Sequence, residues 1–169
     1  METKPRKLEV KIPAGIEDGM SLRLSGEGEL GSNGGPPGDL YVYIRVNPHA
    51  FFKRHANDVY IEVPISFTQA ALGDQIDIPA LQGTRKLTIP KGTQNGQIFR
   101  FQKEGISDLK GWNRGDLIAQ VVVETPANLT PRQEELLLEF AAINGENLSP
   151  KKQKFVSWFK NTFSRENGK

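Results

Sequence analysis

The feature that most constrains this chain is an internal repeat. Residues 12–40 read IPAGIEDGMSLRLSGEGELGSNGGPPGDL, and residues 89–117 read IPKGTQNGQIFRFQKEGISDLKGWNRGDL. At a constant offset of 77, 11 of these 29 positions are identical: Ile12/Ile89, Pro13/Pro90, Gly15/Gly92, Gly19/Gly96, Arg23/Arg100, Glu27/Glu104, Gly28/Gly105, Gly34/Gly111, Gly38/Gly115, Asp39/Asp116 and Leu40/Leu117. Flanking and interior apolar positions exchange apolar for apolar, as in Val10/Leu87, Leu22/Phe99 and Leu24/Phe101. A duplicated unit must be explained by one supersecondary element built twice.

Each copy has the same local grammar. The alternating runs Leu8-x-Val10-x-Ile12 and Leu87-x-Ile89 predict strands with one buried face. Pro13 and Pro90 end them, because proline cannot donate to a ladder. Asp18-Gly19 and Asn95-Gly96 predict tight turns with positive φ. Returning strands follow at Met20–Leu24 and Ile98–Phe101, then a long loop, Gly-Asp-Leu and a third strand at Leu40–Val46 or Leu117–Val123. Val59–Ile65 and Gln75–Ile78 add strands between the copies. The predicted fold class is all-β: two tandem small antiparallel sandwich-like domains, followed by short C-terminal helices. The second copy reads as complete from about Asp58. The first starts at Lys7 without the preceding strands, so its sheet is expected to show an open edge. The predicted division is 1–55 for an incomplete first β-domain, 56–128 for the second and 129–169 for a helical segment.

That last segment follows from its own signals. Thr130-Pro131-x-Gln133 combines an N-cap, a proline at the first helical position and a capping-box partner. Leu136–Ile143 continues a helix that Gly145 can stop. Beyond a polar linker, Phe155, Trp158, Phe159 and Phe163 fall at i, i+3, i+4 and i+8, one stripe of an amphipathic helix. Residues 150–169 hold six cations against Glu166 alone, a balance of +5. Subtracted from the net +2, this leaves −3 on residues 1–149. A body of that sign repels a phosphate backbone, which argues against a DNA-binding role for the whole.

Composition removes several chemistries. The absence of Cys excludes disulfides, thiolate metal sites and thiol nucleophiles from these 169 residues. With His49 and His55 as the sole imidazoles, a zinc site would lean on carboxylates. No apolar stretch approaches the roughly 20 residues of a spanning helix. The Met1-Glu-Thr-Lys-Pro start lacks the apolar core of a signal peptide. A soluble cytoplasmic protein is expected.

Three candidate motifs reduce to structural readings. Gly26-Glu-Gly28-Glu-Leu-Gly31 spells the dinucleotide fingerprint, but a Ser-Asn-Gly-Gly-Pro-Pro run follows where a helix is required, and Glu27 and Glu29 repel phosphate. A hairpin loop is expected there. Asp39 and Asp116 resemble an acid–base pair only until their duplication is noticed. Each is then expected to bind nearby backbone amides at a strand start, with Arg23 and Arg100 as partners. No Ser/His/Asp arrangement is legible, because both His fall together in one loop, and no enzyme activity is expected. The stretch Pro48-His-Ala-Phe51-Phe52-Lys-Arg54 reads either as packing at a domain junction or as one wall of an apolar peptide groove.

Together these residues are similar to a known family. Val10-Lys-Ile-Pro-Ala-Gly15, Leu24-Ser-Gly-Glu-Gly28, Gly38-Asp-Leu-Tyr-Val42, Ala70-Ala-Leu-Gly73, Gly115-Asp-Leu117 and Val122-Val-Glu-Thr-Pro126 resemble the C-terminal client-binding region of the DnaJ co-chaperones. The tail Ser149-Pro-Lys-Lys-x-x-Phe-x-x-x-Phe resembles the zinc-finger class. The family's J-domain, its Gly/Phe linker and its four Cys-x-x-Cys pairs do not occur here. In that family the zinc finger is inserted within the first β-domain, so the resemblance accounts for both the missing strands and the missing Cys. It implies no cofactor in this chain, zinc belonging to the absent finger. Where the family commonly has His-Pro-x-Phe, this sequence has His49-Ala-Phe-Phe52.

The resemblance implies a chaperone module that binds exposed apolar segments of unfolded polypeptides, prevents their aggregation and, in the full-length protein, delivers them to DnaK. Client contacts are expected at Phe52, Tyr41 and Tyr43. A homodimer is implied through Phe155, Trp158, Phe159 and Phe163, with no membrane and no specific nucleic acid as partner. The rival reading is a peripheral adaptor whose basic helix docks on anionic lipid or nucleic acid, which predicts steep salt dependence.

Overall fold

The computed structural model describes residues 7–31, 35–144 and 150–163. They form two compact units, Met1–Thr125 and Pro126–Lys169.

In the first unit the elements are β1 (Ser21–Leu24), β2 (Leu40–Tyr43), β3 (Phe52–His55), β4 (Asp58–Ser66), α1 (Phe67–Leu72), β5 (Asp74–Pro79), β6 (Thr84–Ile89), β7 (Ile98–Phe101) and β8 (Leu117–Glu124). The predicted all-β class is found. Strict alternation drives the core: Val59, Ile61, Val63 and Ile65 of β4 point inward while Tyr60, Glu62 and Pro64 point out. Leu117, Ala119 and Val121 of β8 join them, and a β5–β6 hairpin covers the layer with Ile78, Leu87 and Ile89. Each of the buried Val, Leu and Ile chains contributes about 1.5–3 kcal/mol by leaving water.

The sheet behind this core runs β3-β4-β8-β7. Its central pair, β4 with β8, is parallel, which departs from the antiparallel expectation. The reason lies in the connection. Parallel neighbours need a crossover, and α1, the β5–β6 hairpin, β7 and the loops supply it between Ser66 and Leu117. Pro64 sits beyond Ile61, where β3 has ended and β4 keeps one neighbour. Helix α1 opens on a capping box between Ser66 and Gln69 and closes at Gly73, whose φ is +80 and where an added Cβ would lie 2.9 Å from the Ile89 carbonyl oxygen.

The first copy contributes a two-stranded antiparallel sheet, β1 with β2. Shifted by 77, these strands coincide with β7 and the start of β8. The strand expected at Leu8–Ile12 does not form. Its counterpart, β6, pairs with β5, whereas Leu8–Ile12 pairs with no strand among the described residues; Leu8 and Ile12 stay exposed. The division drawn at residue 55 falls inside the β3–β4 hairpin, since β3 pairs with β4.

The second unit holds α2 (Pro131–Asn144) and α3 (Pro150–Phe163). The capping box that starts α2 forms as read: the Thr130 amide donates to Gln133 Oε1 at 2.8 Å, and the Gln133 amide to Thr130 Oγ1 at 3.4 Å. The stop expected at Gly145 lies outside the described residues.

Candidate functional site

The repeats hold their loops with duplicated polar contacts. Asp39 accepts from Arg23 Nε at 2.7 Å and from the Gly26 amide at 3.0 Å. Asp116 accepts from Arg100 Nη1 at 2.9 Å and from the Lys103 amide at 2.8 Å. The stretch Gly26–Gly31 folds as the expected loop, with the Gly28 amide donating to the Gly38 carbonyl at 2.8 Å, as Gly105 does to Gly115. Asp39 and Asp116 are therefore loop staples, and no proton-transfer pair is formed.

A cleft of about 820 Å³ opens where the first copy meets the second. One side is β3, built on a two-residue connection, Ala56–Asn57, to β4. Alternation puts Phe52 and Arg54 on one face of β3, both partly buried. Phe52 packs against the main core, and Leu81, Ile106 and Val59 extend the apolar surface beneath it. The opposite sides come from Glu17 and Asp18 and from the segment Val46–His49. His49 Nδ1 accepts the amides of Phe51 and Phe52 at 3.1 and 3.2 Å, and its ring lies 5.0 Å from that of Phe52. The expected loop holding both His is found only for His49; His55 closes β3 and meets Tyr60 edge-on, because the β3 ladder continues to its pairing with Asp58.

Three of the charged side chains that line the cleft are in ion pairs. Lys53 pairs with Glu62 at 2.7 Å, and Arg54 lies 3.6 Å from Glu17. What remains for an occupant is an apolar surface flanked by polar rims, the usual form of a site that accepts hydrophobic side chains. Among the described residues no group of three or more His, Cys, Asp or Glu is arranged to hold a metal ion.

The chain matches the family model for the DnaJ C terminal domain over residues 1–126. It belongs to that family. A DnaJ chaperone from Geobacillus thermodenitrificans is 53% identical over 145 residues, 86% of this chain and 38% of the relative. One from Herminiimonas arsenicoxydans is 52% identical over 153 residues, 90% and 41%. One from Clostridioides difficile is 46% identical over 163 residues, 96% and 42%. The chain thus spans about two fifths of the length of these DnaJ relatives.

The residues expected to act in this DnaJ domain are not all brought together. Phe52 lines the cleft; Tyr41 and Tyr43 do not. They stand exposed on one face of β2, across from Arg23 and Ser21. In the second unit, Phe155, Trp158 and Phe159 form one exposed stripe of α3, with ring centroids 6.1 and 6.4 Å from Phe155. The side chain of Phe163 lies outside the described residues. Sequence reasoning missed Asp18, Leu81 and Ile106 as cleft residues. Arg54 had a legible signal, being two positions from Phe52 on a strand and so on its face. No helix among the described residues is long and apolar enough to cross a membrane.

Proposed function

We propose that this DnaJ C-terminal region captures unfolded polypeptides through exposed apolar segments and keeps them from aggregating. The observation that carries the reading is the cleft, with Phe52 on one side and an apolar lining. The two-stranded sheet next to it in sequence adds a second element, since its outer strand edges can accept a peptide as an extra strand. Backbone pairing is indifferent to sequence, while an apolar pocket selects Leu- and Phe-rich segments. Tyr41 and Tyr43 on β2 flank a peptide added there. In the full-length protein, clients held in this way pass to DnaK. The α3 stripe joins two copies, and two clefts on one dimer raise avidity for a long flexible client.

The test is fluorescence anisotropy of a labelled, permanently unfolded protein and of its native form, titrated with this chain at two salt concentrations. Selective binding of the unfolded form, little affected by salt, is the expected result. Equal binding of both forms, or none, overturns the reading. An affinity that falls by about a decade or more over a fourfold salt increase would instead mark a phosphate-binding surface.

A further inference from the structure

Arg54 is three-quarters buried, with 25% of its side chain exposed. Its N–H groups converge on main-chain oxygens from two parts of the chain. Nε donates to the Ala56 carbonyl at 2.7 Å, Nη1 to Ile16 at 2.6 Å and Nη2 to Gly15 at 2.9 Å. The turn held in this way presses on the second copy, as Gly15 packs against the Ser107 carbonyl with no space for a Cβ. Two residues after Ile16, Asp18 Oδ1 accepts the Val46 amide at 2.7 Å. From Val46 the chain runs through Asn47 and Pro48 to His49, whose Nδ1 binds the amides of Phe51 and Phe52. Arg54 is two residues further on. The 15–18 turn, the 46–49 segment and β3 are joined in a closed ring of hydrogen bonds, and all three segments line the cleft.

We propose that Arg54 is a positioning residue for this cleft, with Asp18 as its second pin. Together they fix the separation between the Asp18 side and the Phe52 side before any client arrives. The inference rests on the client-binding reading of the cleft. A planar fork reaching three carbonyls cannot be replaced by the single ammonium of lysine, although the charge is kept. Loosening the ring leaves every apolar contact residue in place but removes the preorganisation that makes its burial productive.

The experiment uses the whole chain, reduced and carboxymethylated lactalbumin as the unfolded probe, and anisotropy to read affinity for wild type, Arg54→Lys, Phe52→Ala and the double variant. Folding of each is checked by near-ultraviolet circular dichroism. Arg54→Lys and Phe52→Ala are each expected to weaken binding about tenfold, the scale of one charge-assisted hydrogen bond or one apolar anchor. The double variant is expected to be at most about twofold weaker than the worse single, because both act on one pocket. Two losses that multiply, or wild-type affinity in Arg54→Lys, overturn the role of Arg54 while leaving the cleft as the site. Wild-type affinity in Phe52→Ala overturns the cleft reading itself. Should Arg54→Lys fail to fold, Asp18→Ala breaks the ring at its exposed pin, and the same non-additivity with Phe52→Ala is required.

Discussion

Asp39 and Asp116, 77 residues apart, hold matching partners: the arginine 16 residues before each, and the amide 13 residues before each. The duplication is thus conserved at the level of individual hydrogen bonds. The surroundings differ, however. Asp116 also has its own amide tied to Asp58 Oδ1 at 2.7 Å and stands at the start of β8, the most buried strand. Asp39 starts a two-stranded sheet with no fully buried residue.

Asp116→Asn is therefore expected to lower unfolding free energy by about 1–3 kcal/mol, and Asp39→Asn by less than about 1, because no buried strand follows Asp39. Urea unfolding of the two variants checks this. Equal losses would mean that the staple matters locally and that burial around β8 adds nothing.

The two glycine turns separate a steric clash from backbone strain. Gly15 and Gly19 have φ of +84 and +79, but a Cβ at Gly15 would lie 2.1 Å from the Ser107 carbonyl oxygen, whereas at Gly19 nothing lies within 4 Å. Gly19→Ala should cost about 1–2 kcal/mol from the left-handed conformation alone. Gly15→Ala should cost more, and should also raise hydrogen exchange at Ile106 and Gly115, the ladder beside Ser107. Identical melting curves for the two variants would sink the clash argument.

Ala56 is an exposed non-glycine residue at φ +53 in the β3–β4 connection. Ala56→Gly should raise stability by about 0.5–1 kcal/mol, the relief of left-handed strain less the added chain entropy. A lower melting temperature in this variant would show that the turn is not strained.

Asp74 couples α1 to β5. Gln69 Nε2 donates to its carboxylate at 2.8 Å and the Gln75 amide at 2.7 Å, and these bonds hold its pKa below the ordinary aspartate range, against a small opposing effect of burial. A depressed folded-state pKa stabilises the fold above the unfolded value and is lost as pH falls through the folded value. Stability measured from neutral to acid pH should therefore drop less steeply in Asp74→Asn than in wild type. Parallel curves would remove Asp74 from the acid response.

The aromatic stripe of α3 predicts an oligomer. Replacing Trp158 and Phe159 by alanine should halve the mass seen by light scattering, with the β-sheet signal unchanged. An unaltered mass would overturn the dimer assignment.

Much of this was legible in the sequence because it is local or duplicated. The turn dipeptides, the strand pairs β1–β2 and β7–β8, the loop role of Asp39 and Asp116 and the Thr130–Gln133 box depend on residues within about 25 positions of one another, and the repeat states most of them twice. Short α1 escaped notice, although Ser66-Phe-Thr-Gln69 carries its capping box, because six residues are too few for a helical period. Phe52 stands out in the Pro48–Arg54 stretch and in its match to the family's His-Pro-x-Phe, whereas nothing in that stretch signals the carbonyls that Arg54 reaches. What only the tertiary structure decided is non-local. The parallel pairing of β4 with β8 joins residues 58 apart, Leu8–Ile12 pairs with no strand among the described residues, and Arg54 reaches carbonyls 38 and 39 residues away. A strand's alternation encodes which face is buried but not which strand will supply its hydrogen bonds, and a side chain's donors encode a need for acceptors but not where the folded chain will place them.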